Sequence, residues 1–454
     1  MDKQNSKFQN DLTQGNVTGQ LLRFSAPFML SMLIQQSYSM ADLLIVSYFS
    51  GEATVAAVNN GGQLAFLVTS IAIGLSSGGT ILIGQFFGAK RMEEMQKTAS
   101  TMLSALLITS ILLALIFIPF GSTFLRMLNV PEEGFREAVL YLIICMAGLP
   151  FIFLYNAISG ILRGMGDSKR PLYFITGACV ANIILDLILV AGFGIGAAGV
   201  AVATVAAQAG SVAASAIYLR RSGFMFDFKP KSFIIDRDKL KMILRIGIPS
   251  SFSQVAVNLS FLIMTGLVNG YGVYVSAAAG LAGRFNGFAI MPAIAVSNSV
   301  SMMCAQNLGA NLKDRALQTM KIGIIMSMVI GLPILAVVQL FSFEIMGLLS
   351  QSPPVIEAGS VYLRAFSWDY LFVPFVFGFI GLVSGAGHAH IIMINTLITS
   401  VLVRVPAALL LSRTFGLELS GVGYAAPVAT FAGVIFLLGY ILSGRWHVVA
   451  IHRR

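Results

Sequence analysis

The sequence predicts an all-α integral membrane protein of about 12 transmembrane helices, arranged as two six-helix lobes related by a pseudo-two-fold axis. Three observations predict it. Of 454 residues, 57% are hydrophobic and only 11% charged, with a mean hydropathy of +0.84, where soluble domains run near a quarter charged. Apolar tracts of about twenty residues or more, enough to cross a bilayer as a helix, recur about twelve times. The second half of the chain also repeats motifs of the first at an offset of about 221 residues.

The tracts run over residues 20–46, 54–86, 95–121, 136–160, 168–191, 195–219, 240–269, 275–306, 314–343, 356–382, 389–412 and 419–444. Several exceed the minimum, which implies tilt, kinks or projection beyond the bilayer. Prolines inside them, such as Pro27, Pro150, Pro249 and Pro374, are tolerable where neighbouring helices re-satisfy the backbone. Hydrophobicity is continuous along each tract, not alternating, which excludes a β-barrel. Residues 1–219 form the expected N-lobe, 220–239 a basic cytoplasmic linker, and 240–454 the C-lobe.

Orientation follows from Lys and Arg in the connections. The N-terminal region has Lys3, Lys7 and Arg23; Lys90, Arg91 and Lys97 follow the second span; Arg163, Lys169 and Arg170 follow the fourth. A basic run extends from Arg220 to Arg245, Lys313 and Arg315 follow the eighth span, and Arg445, Arg453 and Arg454 end the chain. The opposite connections hold Arg126, Arg136, Arg364 and Arg413. Both termini are therefore expected in the cytoplasm of a multi-pass cell-membrane protein. The net charge of +10 is read as this positive-inside bias and not as a nucleic-acid surface.

The repeat rests on four ordered matches. Leu22 to Pro27 (LRFSAP) answers Leu244 to Pro249 (LRIGIP), and Gln85 to Ala89 answers Gln306 to Ala310. Gly160, Gly164 and Gly166 answer Gly381, Gly385 and Gly387; Phe193-Gly194 answers Phe415-Gly416. Six spans per repeat give both halves the same topology, so the axis lies along the membrane normal, as in transporters that alternate access by rocking one half on the other.

Among the ionisable residues within the spans, Asp42, Asp186, Arg284, Asp369 and Arg404 stand out. A carboxylate in hydrocarbon costs at least a few kcal/mol, so each acid is a functional candidate. Asp186 follows Asn182 by four residues, which puts both on one helix face. Asp42 and Asp186 fall near the outer ends of the first and fifth spans, at similar depth in one lobe. They can converge on one cation site, or each can hydrogen-bond to a neighbouring helix. In the repeat, Asn182 and Asp186 fall opposite Arg404 and Ala408, so the second lobe carries a base where the first carries an acid. Asp369 is the candidate partner of Arg404, as a structural ion pair or in substrate binding or gating; Arg284 is a cavity-lining charge or a structural partner.

The 21 Met and 33 Phe suit an adaptable surface for apolar or cationic ligands, though singly each is ordinary packing. Gly74 to Gly84 reads as small-residue helix packing. Cys145, Cys179 and Cys304 lie in apolar tracts and are expected as free packing residues. His388 and His390 fall in a cytoplasmic connection and are expected to be solvated. No Walker motif, Ser-His-Asp order, H-E-x-x-H or Cys/His cluster occurs, so neither an ATPase nor an enzyme is expected, and no cofactor.

The A-D-L-L-I-V that follows Pro27 in the first span, Gly84 to Lys90 (GQFFGAK), Leu162 to Asp167 (LRGMGD) and N-I-I-L-D at Asn182 to Asp186 resemble the multidrug and toxin extrusion (MATE) family over essentially the whole chain. The resemblance implies a monomer that exports small drug-like, often cationic compounds across the lipid bilayer, driven by inward H⁺ or Na⁺. It implies a cation site at Asp42, Asp186 and Asn182, with Tyr141 and Thr204 as further oxygen ligands by position, and bending of the first helix at Pro27. Some branches place an acid in the seventh helix, where this chain has Gln254 and Asn258. The alternative is a flippase or exporter of a lipid-linked cell-envelope precursor, which would favour a basic cleft.

Overall fold

The computed structural model describes residues 10–127, 130 and 132–452; Lys3, Lys7, Arg453 and Arg454 lie outside them. Fifteen α-helices follow in order among the described residues: α1 Val17–Phe49, α2 Glu52–Gly88, α3 Met92–Met127, α4 Glu132–Ala147, α5 Leu149–Gly164, α6 Lys169–Asp186, α7 Ala197–Arg221, α8 Arg237–Asn269, α9 Val273–Gly309, α10 Lys313–Leu349, α11 Pro353–Ser367, α12 Asp369–Gly385, α13 Ala389–Leu397, α14 Arg404–Leu409 and α15 Glu418–Leu442. They make 12 membrane spans when the bent pairs α4–α5 (47°) and α11–α12 (44°) each count as one. Large apolar side chains such as Ile108, Leu112 and Leu115 on α3 point outward, as a hydrocarbon solvent allows.

The fourth span breaks where Gly148 meets α7. A Cβ there would stand 2.3 Å from Val205 Cγ2, and Pro150 then opens α5. The fifth and eleventh spans, related by the repeat, leave regular α geometry. A π-helical stretch Leu187–Gly192 follows α6, and two others, Ile398–Val403 and Leu410–Thr414, flank α14.

The chain packs as two compact units. The first comprises Ala26–Ser251 with the described part of Met1–Asp11; the second comprises Leu12–Ser25 and Phe252–Arg454. The packing boundary therefore crosses inside α1 and α8, beside Pro27 and Pro249, whereas the lobe boundaries drawn from sequence lie at 219 and 240. Local contacts explain the crossing. In the first unit, the start of α8 lies against α2, where a Cβ on Gly78 would meet the Ile243 carbonyl at 2.6 Å. Ser251 Oγ donates to the Ile71 carbonyl (3.2 Å), and Lys239 pairs with Glu94. In the second unit, Leu12 N–H donates to Gln306 Oε1 (2.9 Å), and Arg315 donates to the carbonyls of Gly15 (2.9 Å) and Gln14 (3.0 Å).

Each core is built on the end of one helix. Residues 78–88 of α2 and 299–309 of α9 are wholly buried. The glycines that face them allow backbone contact: a Cβ on Gly164 would stand 2.8 Å from the Thr80 carbonyl, and one on Gly385 2.6 Å from the Ser301 carbonyl. The cysteines are free.

One expectation is corrected. His390 is exposed, but His388 is wholly buried. Its Nε2–H donates to the Val448 carbonyl (2.7 Å) and its Nδ1 bonds the Tyr440 hydroxyl, because the turn Arg445–His447 folds back and buries Trp446.

Candidate functional site

The first unit gathers its polar side chains from four helices. α1 supplies Asp42, with Tyr38 one turn earlier; α6 supplies Asp186 and Asn182; α7 supplies Thr204; α4 supplies Tyr141. Asp186 is the last residue of α6, where the π-helical stretch begins. π-Bulges commonly sit at functional sites, since the extra residue redirects the side chains around it.

The carboxyl groups of Asp42 and Asp186 face each other within hydrogen-bonding reach. Asp186 is 0% exposed, Asn182 2% and Asp42 9%. No donor reaches either oxygen of Asp186, Oδ1 of Asp42 or Oδ1 of Asn182. Asn182 Nδ2 donates to Thr204 Oγ1 at 3.4 Å. Tyr141 packs its ring on Gly61, where a Cβ would stand 2.8 Å from Cδ1, and lies within electrostatic reach of Asp42. Two carboxylates cannot both stay ionised and unpaired in so apolar a place; a shared proton or a bound cation resolves the conflict. The five residues singled out in the sequence thus lie in one neighbourhood, and all can offer oxygen, the donor that a hard cation takes. Among the described residues no cluster of three or more His, Cys, Asp or Glu could hold a metal ion.

Three further residues, which sequence reasoning missed, belong to this neighbourhood. A small cavity of about 10 Å³, room for roughly one water-sized species, is lined by Tyr38, Cys179 and Gln208 together with Asn182 and Thr204. The signal that finds them is helical spacing: Tyr38 is four before Asp42, Cys179 three before Asn182, and Gln208 four after Thr204.

Pro27 stands inside α1, which runs without interruption from Val17 to Phe49. Its carbonyl accepts from Ser31 Oγ (2.9 Å), and the next residue, Phe28, has the Arg163 guanidinium 5.4 Å from its ring centre.

The charges of the second unit do not assemble in the same way. Asp369, first residue of α12 after the bend, is buried and engages Thr430, while its Oδ1 has no partner. Arg404 lies near enough to interact with it electrostatically, but the two make no direct ion pair. The Arg404 guanidinium instead stacks over Phe261, 4.9 Å from its centroid. Arg284 is exposed on α9 and forms no ion pair among the described residues.

The chain is similar to known proteins along nearly its whole length. The probable multidrug resistance protein YoeA of Bacillus subtilis is 32% identical over 428 residues, 92% of each chain. The probable multidrug resistance protein NorM of Thermotoga maritima is 24% identical over 464 residues, covering 99% of this chain and 98% of NorM. A solved outward-facing multidrug resistance MATE family transporter of the MOP superfamily has the same fold, with a TM-score of 0.90 at 24% identity over 98% of this chain and 99% of that one. The MatE family model matches twice, at residues 27–188 and 249–410, the same offset as the motif pairs. The chain belongs to the MatE family of membrane transporters.

Proposed function

We propose that this protein is a secondary active multidrug exporter of the cell membrane, with both termini in the cytoplasm. It expels organic, often cationic compounds in exchange for H⁺ or Na⁺ entering from outside. Relatives that bear multidrug resistance and export names support the substrate class. The observation that carries the coupling role is the buried Asp42–Asp186 pair with no donor on either oxygen of Asp186. A proton or Na⁺ held between these carboxyls favours whichever state of the transporter keeps the pair closed. A cation can drive a cycle only through such a preference. Asn182, Thr204 and Tyr141 add neutral oxygens around it. In this reading substrate and cation favour different states, so each promotes release of the other.

Efflux in proteoliposomes under an imposed pH or Na⁺ gradient tests the assignment. Asp186→Asn should abolish gradient-driven efflux and leave membrane insertion intact; wild-type efflux from that variant sinks the coupling role.

A further inference from the structure

The cavity beside the acid pair lies on the side nearer the basic ends of α6 and α7. α6 and α7 run antiparallel, so positions descending from Asn182 to Cys179 and Ile175 on α6 lie alongside positions rising from Thr204 to Gln208 on α7. Both series lead to the helix ends that carry Lys169, Arg170, Arg220 and Arg221, the basic end of each span. Two carbonyl oxygens on this cavity, Asn182 Oδ1 and Gln208 Oε1, are buried and accept from nothing. A buried acceptor left without a donor is costly, and two of them on one small cavity call for a shared ligand that donates or carries positive charge. Further along the same helix pair, Ser211 Oγ donates to the Phe174 carbonyl (3.1 Å), so the polar character continues below the cavity.

We propose that this cavity is an inner station for the coupling cation, distinct from the acid pair. A hydronium ion or a Na⁺ stripped of its water leaves Asp42 and Asp186, passes Asn182, and is received by Gln208 Oε1 and Asn182 Oδ1 before it enters the cytoplasm. This rests on the acid pair being the coupling site. Gln208 is then a residue of the ion path, contacting the cation itself, while Cys179, on the same wall, is a native reporter of occupancy.

The test uses the full-length protein in proteoliposomes, with H⁺ and Na⁺ gradients imposed in separate arms. Gln208→Leu should raise the cation concentration needed for half-maximal efflux about tenfold in the arm that drives transport, and Gln208→Glu, which restores an oxygen, should bring it back towards wild type. Wild-type cation dependence in Gln208→Leu, with efflux still abolished by Asp186→Asn, overturns the inner station and leaves the exporter reading standing. Wild-type efflux in Asp186→Asn overturns both. A second measurement covers the case in which Gln208→Leu fails to fold. In a Cys145→Ala/Cys304→Ala background, saturating coupling cation should slow alkylation of Cys179 by a small cationic thiol reagent several-fold, and a rate indifferent to the cation overturns the proposal.

Discussion

A carboxyl group buried against a second carboxyl group, with no donor on either oxygen, can remain there only by holding a proton or a cation. Asp186 is in this position, and its burial therefore opposes folding. Asp186→Asn, which removes one acid and keeps the shape, should raise the unfolding free energy of the purified protein by roughly 1–2 kcal/mol at neutral pH while it destroys coupling. Thermal unfolding in detergent checks this, and a clear loss of stability would show that the acid serves packing instead. Asp42 and Asp186 were legible in the sequence because an acid inside an apolar tract has few structural uses. Gln208, Tyr38 and Cys179 were not, because such residues are unexceptional in long spans and gain meaning only from what lies across the helix interface.

At the scale of elements, the spans are legible to within a few residues, since hydrophobic length is imposed by the bilayer itself. Their irregularities are less so. The π-helical stretch after Asp186 leaves no compositional mark, and the break at Gly148 depends on Val205, far away in sequence. The crossing of α1 and α8 between the two compact units is likewise set by close contacts, such as Gly78 against Ile243, that a hydropathy pattern does not record. The glycines at these contacts have a measurable role. Gly164→Ala and Gly385→Ala each drive a methyl group into a backbone carbonyl and should cost about 1–3 kcal/mol. Gly177→Ala, in a helix with nothing within 4 Å of the new atom, should be neutral or stabilising by up to about 1 kcal/mol. Chemical or thermal unfolding of the three variants side by side distinguishes close packing from helix propensity.

Across the whole molecule, a duplicated fold carries unduplicated chemistry. The family model matches both halves, and repeat-related glycines pack both cores, yet the acid pair belongs to the first unit alone. Where the first repeat has Asn182, the second has Arg404, a fixed positive charge stacked on Phe261. The second unit thus holds a tethered cation at the position where the first, in the function proposed above, takes a mobile one. The duplication was visible in the sequence because motifs such as LRFSAP and LRIGIP survive in order; the asymmetry was visible because a base stands against an amide in that alignment. What the sequence left open was whether Arg404 and Asp369 meet directly, which depends on side-chain reach across two helices.

If Asp42 and Asp186 together hold the coupling cation, a bound substrate should displace it. Purified protein in weakly buffered detergent solution, given a saturating organic cation, should release a proton to a pH indicator or displace bound radioactive Na⁺, and Asp186→Asn should release neither. Undiminished release from Asp186→Asn would place the coupling cation somewhere other than this acid pair.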